Sequence, residues 1–386
     1  PAEPPPAPVA VVAPAPTPPP PLPPILPFDQ AVRRAATTVL STKLPAEAPR
    51  TIVIDPLVDG VTGDQSIATR QIGETIAALV RNEYPQYQVA PFTAASVAQQ
   101  PLVMVGTFTA VNAQNQPAGE RAAYRFCLVL ADLGSGRTVA KGVARAQLEA
   151  VDASPAGVFR DSPAWSEDPA IRAYVNTCQA TRVGDAIPPD YINGIQAAAL
   201  VQEAMALFEA GRYPEALARY EAARDTAAGD QLRVHNGLYL VNRRLRRDAA
   251  AEEEFGQLAD YGLRHTRLAV KLLFRSGSTA FLPGPDAAGQ YPMWLRRIAE
   301  KAEARGSCLE VRGHASASGA AALNERLSVL RADAVRDRLV ATAPSLAERV
   351  IASGVGARET LIGTGRDDDS DILDRRVEFR VLPSCS

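Results

Sequence analysis

Histidine is the side chain whose ordinary pKa best suits proton transfer at neutral pH, and the chain has three: His235, His265 and His314. They fall in a helical pattern, at a helix end and at a strand end. No spacing joins them into a metal site or a set of nucleophile, base and orienting group. The sequence also lacks a phosphate-cradling GxxxxGK[ST] loop, a GxSxG elbow and a paired-carboxylate site. The expectation is a protein with no catalytic residue, no metal and no cofactor. Four cysteines, Cys127, Cys178, Cys308 and Cys385, include no CxxC pair. Their even number fits two disulfides in an oxidising compartment, and four buried thiols fit equally well.

Forty-one basic residues against 43 acidic ones give a net charge of -2 over 386 residues. That balance carries no field strong enough to make nucleic acid the main partner. The chain is 46% hydrophobic but only 6% aromatic, and it is rich in alanine. This favours helices packed through small residues. No run approaches the ~18 uninterrupted apolar residues of a membrane helix. The length calls for two or three domains at roughly 150 residues each.

These residues must be positioned by modular elements, and four segments are expected. Residues 1–29 are mostly Pro, Ala and Val and read as a disordered linker that joins no sheet, because Pro has no N–H and a fixed φ. As polyproline II it would reach roughly 80 Å. It starts at Pro1, which reads as a mature or trimmed product, and an acylated Cys before it would supply an anchor. Residues 30–190 read as a small α/β domain. Strand patterns cover 50–58, 88–92, 102–111, 124–132 and 137–143, a helical pattern covers 67–84, and Leu133-Gly-Ser-Gly136 supplies a hairpin turn. The stretch 152–189, loaded with Pro, Asp and Ser, reads as irregular. With Asp55 and Asp59 in the loop after its first strand, the domain resembles the compact fold of curli-secretion and flagellar lipoproteins and of the lipoprotein activator of penicillin-binding proteins.

Residues 191–265 read as helical pairs. Ala204 to Ala223, with the turn Gly211-Arg-Tyr-Pro-Glu-Ala-Leu217, resembles a tetratricopeptide unit that places Ala216, Tyr220 and Ala223 on one face. Leu232–Leu245 and Asp248–Tyr261 form a second pair, with Gly237, Leu240, Ala251, Phe255 and Leu258 buried. Two such units seldom stand alone, so the segment should pack on a neighbour. The run Arg243 to Arg247 closes a helix, where cations are favoured, and reads as a solvated turn.

Residues 266–386 read as a βαβαβ domain: strands at 268–274, 308–314 and 376–382, helices at 290–305 and 323–340, with Leu323, Leu327, Leu330 and Ala334 facing inward. The overall fold class is therefore multidomain α/β plus α. Here Gly313-His-Ala-Ser-Ala-Ser-Gly319, Asn324, Leu327-Ser328, Arg331-Ala332, Gly363-Thr-Gly365 and Asp374-Arg-Arg-Val-Glu378 follow one another in order. The blocks resemble the signature of OmpA-like, peptidoglycan-associating domains: GHTDxxG, N, LSxxRA, Gly-x-Gly and NRRVE. The resemblance implies capture of the diaminopimelate of the wall peptide, with an Asp of GHTD on its ammonium and the Arg of LSxxRA on its carboxylate. A guanidinium fork suits a carboxylate because it donates two parallel bonds.

Arg331 is kept, and Asn324, Ser328 and Arg331 share one helical stripe at offsets of four and three. The acid is replaced by Ser316 and the threonine by Ala315, so the ammonium side loses a charge and affinity should fall. Asp367, Asp368 and Asp369 are a solvated loop that could offer an acid from another side. His314 is expected to support the loop, and His314 and Arg376 complete the candidate wall-binding set. Cys308 begins one strand and Cys385 follows the last, so the two thiols meet if those strands are adjacent and antiparallel; Cys127 would then pair with Cys178.

The function expected from the resemblance is a non-enzymatic periplasmic scaffold, tethered to the outer membrane and docked on peptidoglycan or a wall-associated complex, with other envelope proteins as partners. The alternative is a regulatory lipoprotein that binds and activates a peptidoglycan synthase or joins a secretion or motility machine, using the OmpA-like domain for protein interaction.

Overall fold

Unbroken burial along a ten-residue apolar run places Leu102–Val111 at the centre of a sheet. The computed structural model describes residues 21–43, 49–165, 168–272, 274, 278–281, 289–366 and 369–385. In its first part, β1 (Ile25–Leu26), α1 (Phe28–Leu40), β2 (Arg50–Ile54), α2 (Ile67–Glu83), β3 (Tyr87–Ala90), α3 (Ala94–Val97), β4 (Leu102–Val111), β5 (Ala123–Asp132) and β6 (Arg137–Ala146) follow in order. Among the described residues they form a six-stranded sheet in the order β1-β6-β5-β4-β2-β3. The central β4, β5 and β6 are antiparallel, and β2, β3 and β1 join parallel to their neighbours. α1 and α2 cover one face through Val32, Val39, Ile72 and Ile76. α2 starts at a capping box in which Ser66 and Thr69 satisfy each other's backbone N–H groups, which fixes its register.

Two expectations fail here. Pro1 to Pro20 lie outside the described residues, but Ile25 and Leu26 do join the sheet, parallel to Arg145 and Ala146. An edge position needs hydrogen bonds on one side only, so prolines on either side of a two-residue strand are tolerated. The stretch read as irregular holds α4 (Gly157–Asp161), β7 (Ala164–Trp165) and α5 (Pro169–Gln179). Its Pro and Asp are helix-start chemistry: the Asp168 carboxylate accepts from the Ile171 N–H at 2.8 Å, and Pro169 occupies the first turn. α5 covers the other face of the first sheet, and Cys178 on it is bonded to Cys127 of β5.

Helices α6 (Pro189–Glu209), α7 (Tyr213–Arg224), α8 (Leu232–Arg244) and α9 (Asp248–Arg264) form two antiparallel hairpins. Gly237 lets them approach, since a Cβ there would lie 2.1 Å from the ring of Tyr220. The hairpins pack on the last part of the chain. Phe255 of α9 stacks on Trp294 with ring centroids 5.3 Å apart, and the Trp294 indole N–H donates to the Tyr239 hydroxyl at 3.0 Å. At the end of α8, Arg243 pairs with Asp248 and Arg244 with Asp161, both exposed contacts worth little.

The last part runs β8 (Arg267–Val270), α10 (Tyr291–Ala304), β9 (Cys308–Gly313), α11 (Ala321–Thr342), β10 (Val350–Gly354) and β11 (Val377–Leu382). Its sheet has the order β10-β9-β11-β8-β7, so its outer strand comes from residues 164–165, far upstream. The inward face of α11 differs from the expected one. Ser328, Arg331, Ala332, Val335 and Leu339 are buried, whereas Leu323 is 59% and Leu330 43% exposed. Apolar spacing fixes a stripe but not its orientation, and here the polar stripe of Ser328 and Arg331 is the one turned toward the sheet.

Asp55, just after β2, is buried and accepts a hydrogen bond from the Tyr191 hydroxyl of α6 at 2.7 Å. Burial pushes its carboxyl up to about 7, against the downward pull of that bond and of Arg233. A raised carboxyl holds its proton in the folded state over a range where the unfolded chain has lost it. Its contribution to stability is therefore present at low pH and lost as pH rises from ~4 toward 7. Asp55→Asn should gain stability relative to the parent by roughly 2 kcal/mol more at pH 8 than at pH 5. Urea unfolding at the two pH values measures this, and an equal effect at both would refute it.

Candidate functional site

The end of β9 and the N-terminal half of α11 meet where Gly313 has no side chain. A Cβ there would lie 2.1 Å from the Ser328 carbonyl oxygen, so glycine is required for the helix to cross so close. Ser328 then binds the next strand's exit, its hydroxyl accepting from the Gly356 N–H at 2.9 Å. The loop after Gly313 is fastened on two sides. The Ala315 N–H donates to the Gly356 carbonyl at 2.8 Å. The Asn324 amide donates to the Ser316 and Ser318 carbonyls at 3.2 and 2.6 Å. The hydroxyls of Ser316 and Ser318 lie 3.1 Å apart.

Asn324 and Ser316 are thus brought together. Arg331 lies seven residues further along α11, roughly 10 Å at the helical rise. Its side chain is 5% exposed. Its Nε donates to the Ser278 carbonyl at 3.2 Å, and its guanidinium lies 4.9 Å from the Phe274 ring centre. Of the three aspartates offered as a substitute acid, Asp367 and Asp368 lie outside the described residues, as does the side chain of Asp369.

Arg376, another of the candidate residues, is built into the fold. It is 2% exposed, its guanidinium is paired at 2.7 Å with the fully buried carboxylate of Glu378, and its remaining bonds go to the carbonyls of Leu373 and Glu359. Its charge is neutralised inside the fold. Glu378 also takes two bonds from Arg267, at 2.7 and 2.9 Å. Burial pushes its carboxyl up, but Arg376 and Arg267 pull it further the other way and hold it well below the usual carboxylate range. His314 is buried beside this group, its Nε2 3.7 Å from Glu378. Burial, then the adjacent Arg376, drives its pKa down to about 2, so the ring is neutral. The His314 backbone N–H donates to the Arg376 carbonyl at 3.0 Å, and neither ring nitrogen has a hydrogen-bond partner among the described residues.

Three residues escaped the sequence reading. The Asp374 carboxylate accepts from the N–H groups of Leu361, Ile362 and Gly363 at 2.5 to 3.1 Å, and Asp371 accepts from both the N–H and hydroxyl of Thr364. Arg121, in the connection that enters β5, donates to the carbonyls of the same segment. The available signal was Asp374 in the last motif block, where a carboxylate stands at the position of an asparagine. On the far side of the sheet end, Cys308 and Cys385 are bonded across the β9/β11 pair, in which Cys308 lies opposite Leu382.

Among the described residues there is no cluster of His, Cys, Asp and Glu able to hold a metal, and no helix is long and apolar enough to cross a membrane. Compared with known proteins, residues 285–371 match the model of the OmpA family and form a domain of that family. No curated protein matches the chain. Among solved structures, the cell wall anchor of the T6SS from Pseudomonas aeruginosa is 28% identical over 31% of this chain and 81% of its own, with a TM-score of 0.26. The periplasmic domain of MotB from Helicobacter pylori is 20% identical over 31% and 74%, with a TM-score of 0.25. The peptidoglycan-associated lipoprotein from Burkholderia pseudomallei is 20% identical over 29% and 88%, also with a TM-score of 0.25.

Proposed function

We propose, from an OmpA family domain at residues 285–371, that this chain is a non-catalytic scaffold of the bacterial periplasm whose last part docks on peptidoglycan or on a complex held at the wall. What supports this is that the family match spans the Gly313–Gly319 loop, Asn324 and Arg331, and that the Asn324 amide bonds the Ser316 and Ser318 carbonyls of that loop. In this reading a ligand carboxylate takes the place of the Ser278 carbonyl on Arg331, because a charged acceptor bonds a guanidinium about twice as strongly as a neutral one. The Pro-rich start acts as a spacer to an outer-membrane anchor, and the α/β and helical parts receive protein partners.

Sedimentation with purified sacculi tests it. The parent chain should pellet weakly, Ser316→Asp about tenfold better because it restores a charge for the ligand's ammonium, and Arg331→Ala not at all. If neither the parent nor Ser316→Asp pellets, the wall-docking role is wrong.

One observation favours a second reading. With Ser316 in the acid's place, the loop keeps the fold but loses half of the electrostatic grip on a zwitterionic ligand. In that case the domain is a protein-interaction module, and the chain regulates a wall synthase or joins a secretion or motility machine. In-cell crosslinking separates the two, since a regulator still traps one defined protein partner when Arg331 is replaced by alanine.

A further inference from the structure

The segment that borders the slot is held from outside its own domain. Arg121 lies in the turn entering β5 of the first sheet and is 8% exposed. Its Nη2 donates to the Thr360 and Leu361 carbonyls at 2.9 and 3.1 Å, and its Nε donates to the Ile362 carbonyl at 3.2 Å. The next residue, Gly363, has φ +68°, and a Cβ there would lie 2.9 Å from Arg121 Nε. Backbone conformation and the close approach of the guanidinium both call for glycine. Leu361, Ile362 and Leu373 are buried in the core that α1 and α2 build on the first sheet. Arg366 reaches back to the Val151 carbonyl at 3.4 Å.

The same segment runs beside the candidate ligand loop: a Cβ built on Gly365, φ +70°, would lie 3.9 Å from the Ala317 side chain, and Ala317 stands between Ser316 and Ser318. Arg121 is thus bonded to 360–362, Asp374 and Asp371 bond 361–364, and Gly365 brings the same segment beside the serine loop. A buried guanidinium that caps three carbonyls is a strong constraint, because leaving those acceptors and that charge unsatisfied is expensive.

We infer that the slot is a two-domain site: the first α/β unit sets its geometry through Arg121, a positioning residue for the 360–366 segment. This rests on the wall-docking reading, and it implies that whatever binds the α/β unit tunes the grip on the wall.

The test uses the full chain and purified sacculi. Arg121→Ala should lose about tenfold in affinity, the scale of one charge-assisted hydrogen bond. Arg121→Lys, which keeps the charge but has no fork, should recover part of it. Arg70→Ala, which breaks the exposed Arg70–Glu209 pair between α2 and α6, is the control and should bind like the parent. Amide hydrogen exchange at 316–318 and 361–364 should quicken in Arg121→Ala and not in Arg70→Ala. A merely structural loss would instead lower melting temperature and protection throughout the first sheet. If Arg121→Ala misfolds, Arg121→Lys decides: parental affinity in a variant with altered exchange at 361–364 overturns the inference. So does parental affinity of Arg121→Ala while Arg331→Ala fails to bind. If neither the parent nor Ser316→Asp binds sacculi, the wall-docking reading falls first and takes the inference with it.

Discussion

Glu378→Ala will remove about 3–5 kcal/mol of folding stability at neutral pH, the usual cost of taking one partner from a buried ion pair. Glu378 is fully buried and is the shared acceptor of Arg376, itself 2% exposed, and of Arg267. Without it, the Arg376 guanidinium remains buried beside His314 with only the Leu373 and Glu359 carbonyls as neutral partners, and the partly exposed Arg267 and Arg380 lose the same acceptor. The pH dependence follows from the depressed carboxyl. Its contribution is fully present above the ordinary carboxylate pKa of ~4.3 and is lost as pH falls below that range. The gap between parent and variant should therefore be widest at pH 6–8 and close toward pH 2. Urea unfolding followed by tryptophan fluorescence measures it, because the Trp165 ring lies 5.5 and 5.6 Å from the guanidinium carbons of Arg267 and Arg376. A midpoint that does not move would show that the pair is dispensable.

The second large effect concerns the bond between Cys308 and Cys385, which closes a loop of 77 residues that contains α11, β10 and β11. On the chain-entropy account such a bond stabilises by about 4 kcal/mol, because it removes freedom from the unfolded chain. The double variant Cys308→Ser with Cys385→Ser should lose about that amount in urea unfolding under oxidising conditions. A thiol reductant should shift the parent's midpoint further than the variant's, whose remaining loss comes from Cys127–Cys178 alone. If parent and double variant unfold at the same midpoint, the C-terminal bond does not form in solution. The result also bears on where the chain works, since a fold that depends on these bonds needs an oxidising compartment.

What could be read in the residues alone was local or periodic. The hairpin around Leu133–Gly136, the long strand 102–111 and the paired helices about Gly211 were legible because turn chemistry and apolar spacing act over a few residues. The C-terminal motif blocks were legible because they keep their order and spacing from Gly313 to Glu378. Asn324, Ser328 and Arg331 could be placed on one stripe for the same reason. Burial decided the rest, and burial is a property of neighbours. The α11 stripe holding Leu323 and Leu330 had the composition of an inner face, yet Gly313 and Gly354 admit the helix backbone only on the side of Ser328 and Val329.

The Pro- and Asp-laden stretch before α6 read as irregular because Asp168 acts as a cap, and its second oxygen accepts from Leu232, 64 residues away. The pairing of Arg376 was not legible, because a sequence does not show that it and Arg267 will converge on Glu378. Arg121 carried no signal at all, since its bonds span about 240 residues. The sequence by itself determined the family of the last domain and which polar residues its motif blocks offer. Only the tertiary structure decided which of those residues are paired inside the fold, and that Arg121 bonds the 360–362 carbonyls. Charge neutralisation and carbonyl capping depend on contacts between segments that local spacing cannot encode.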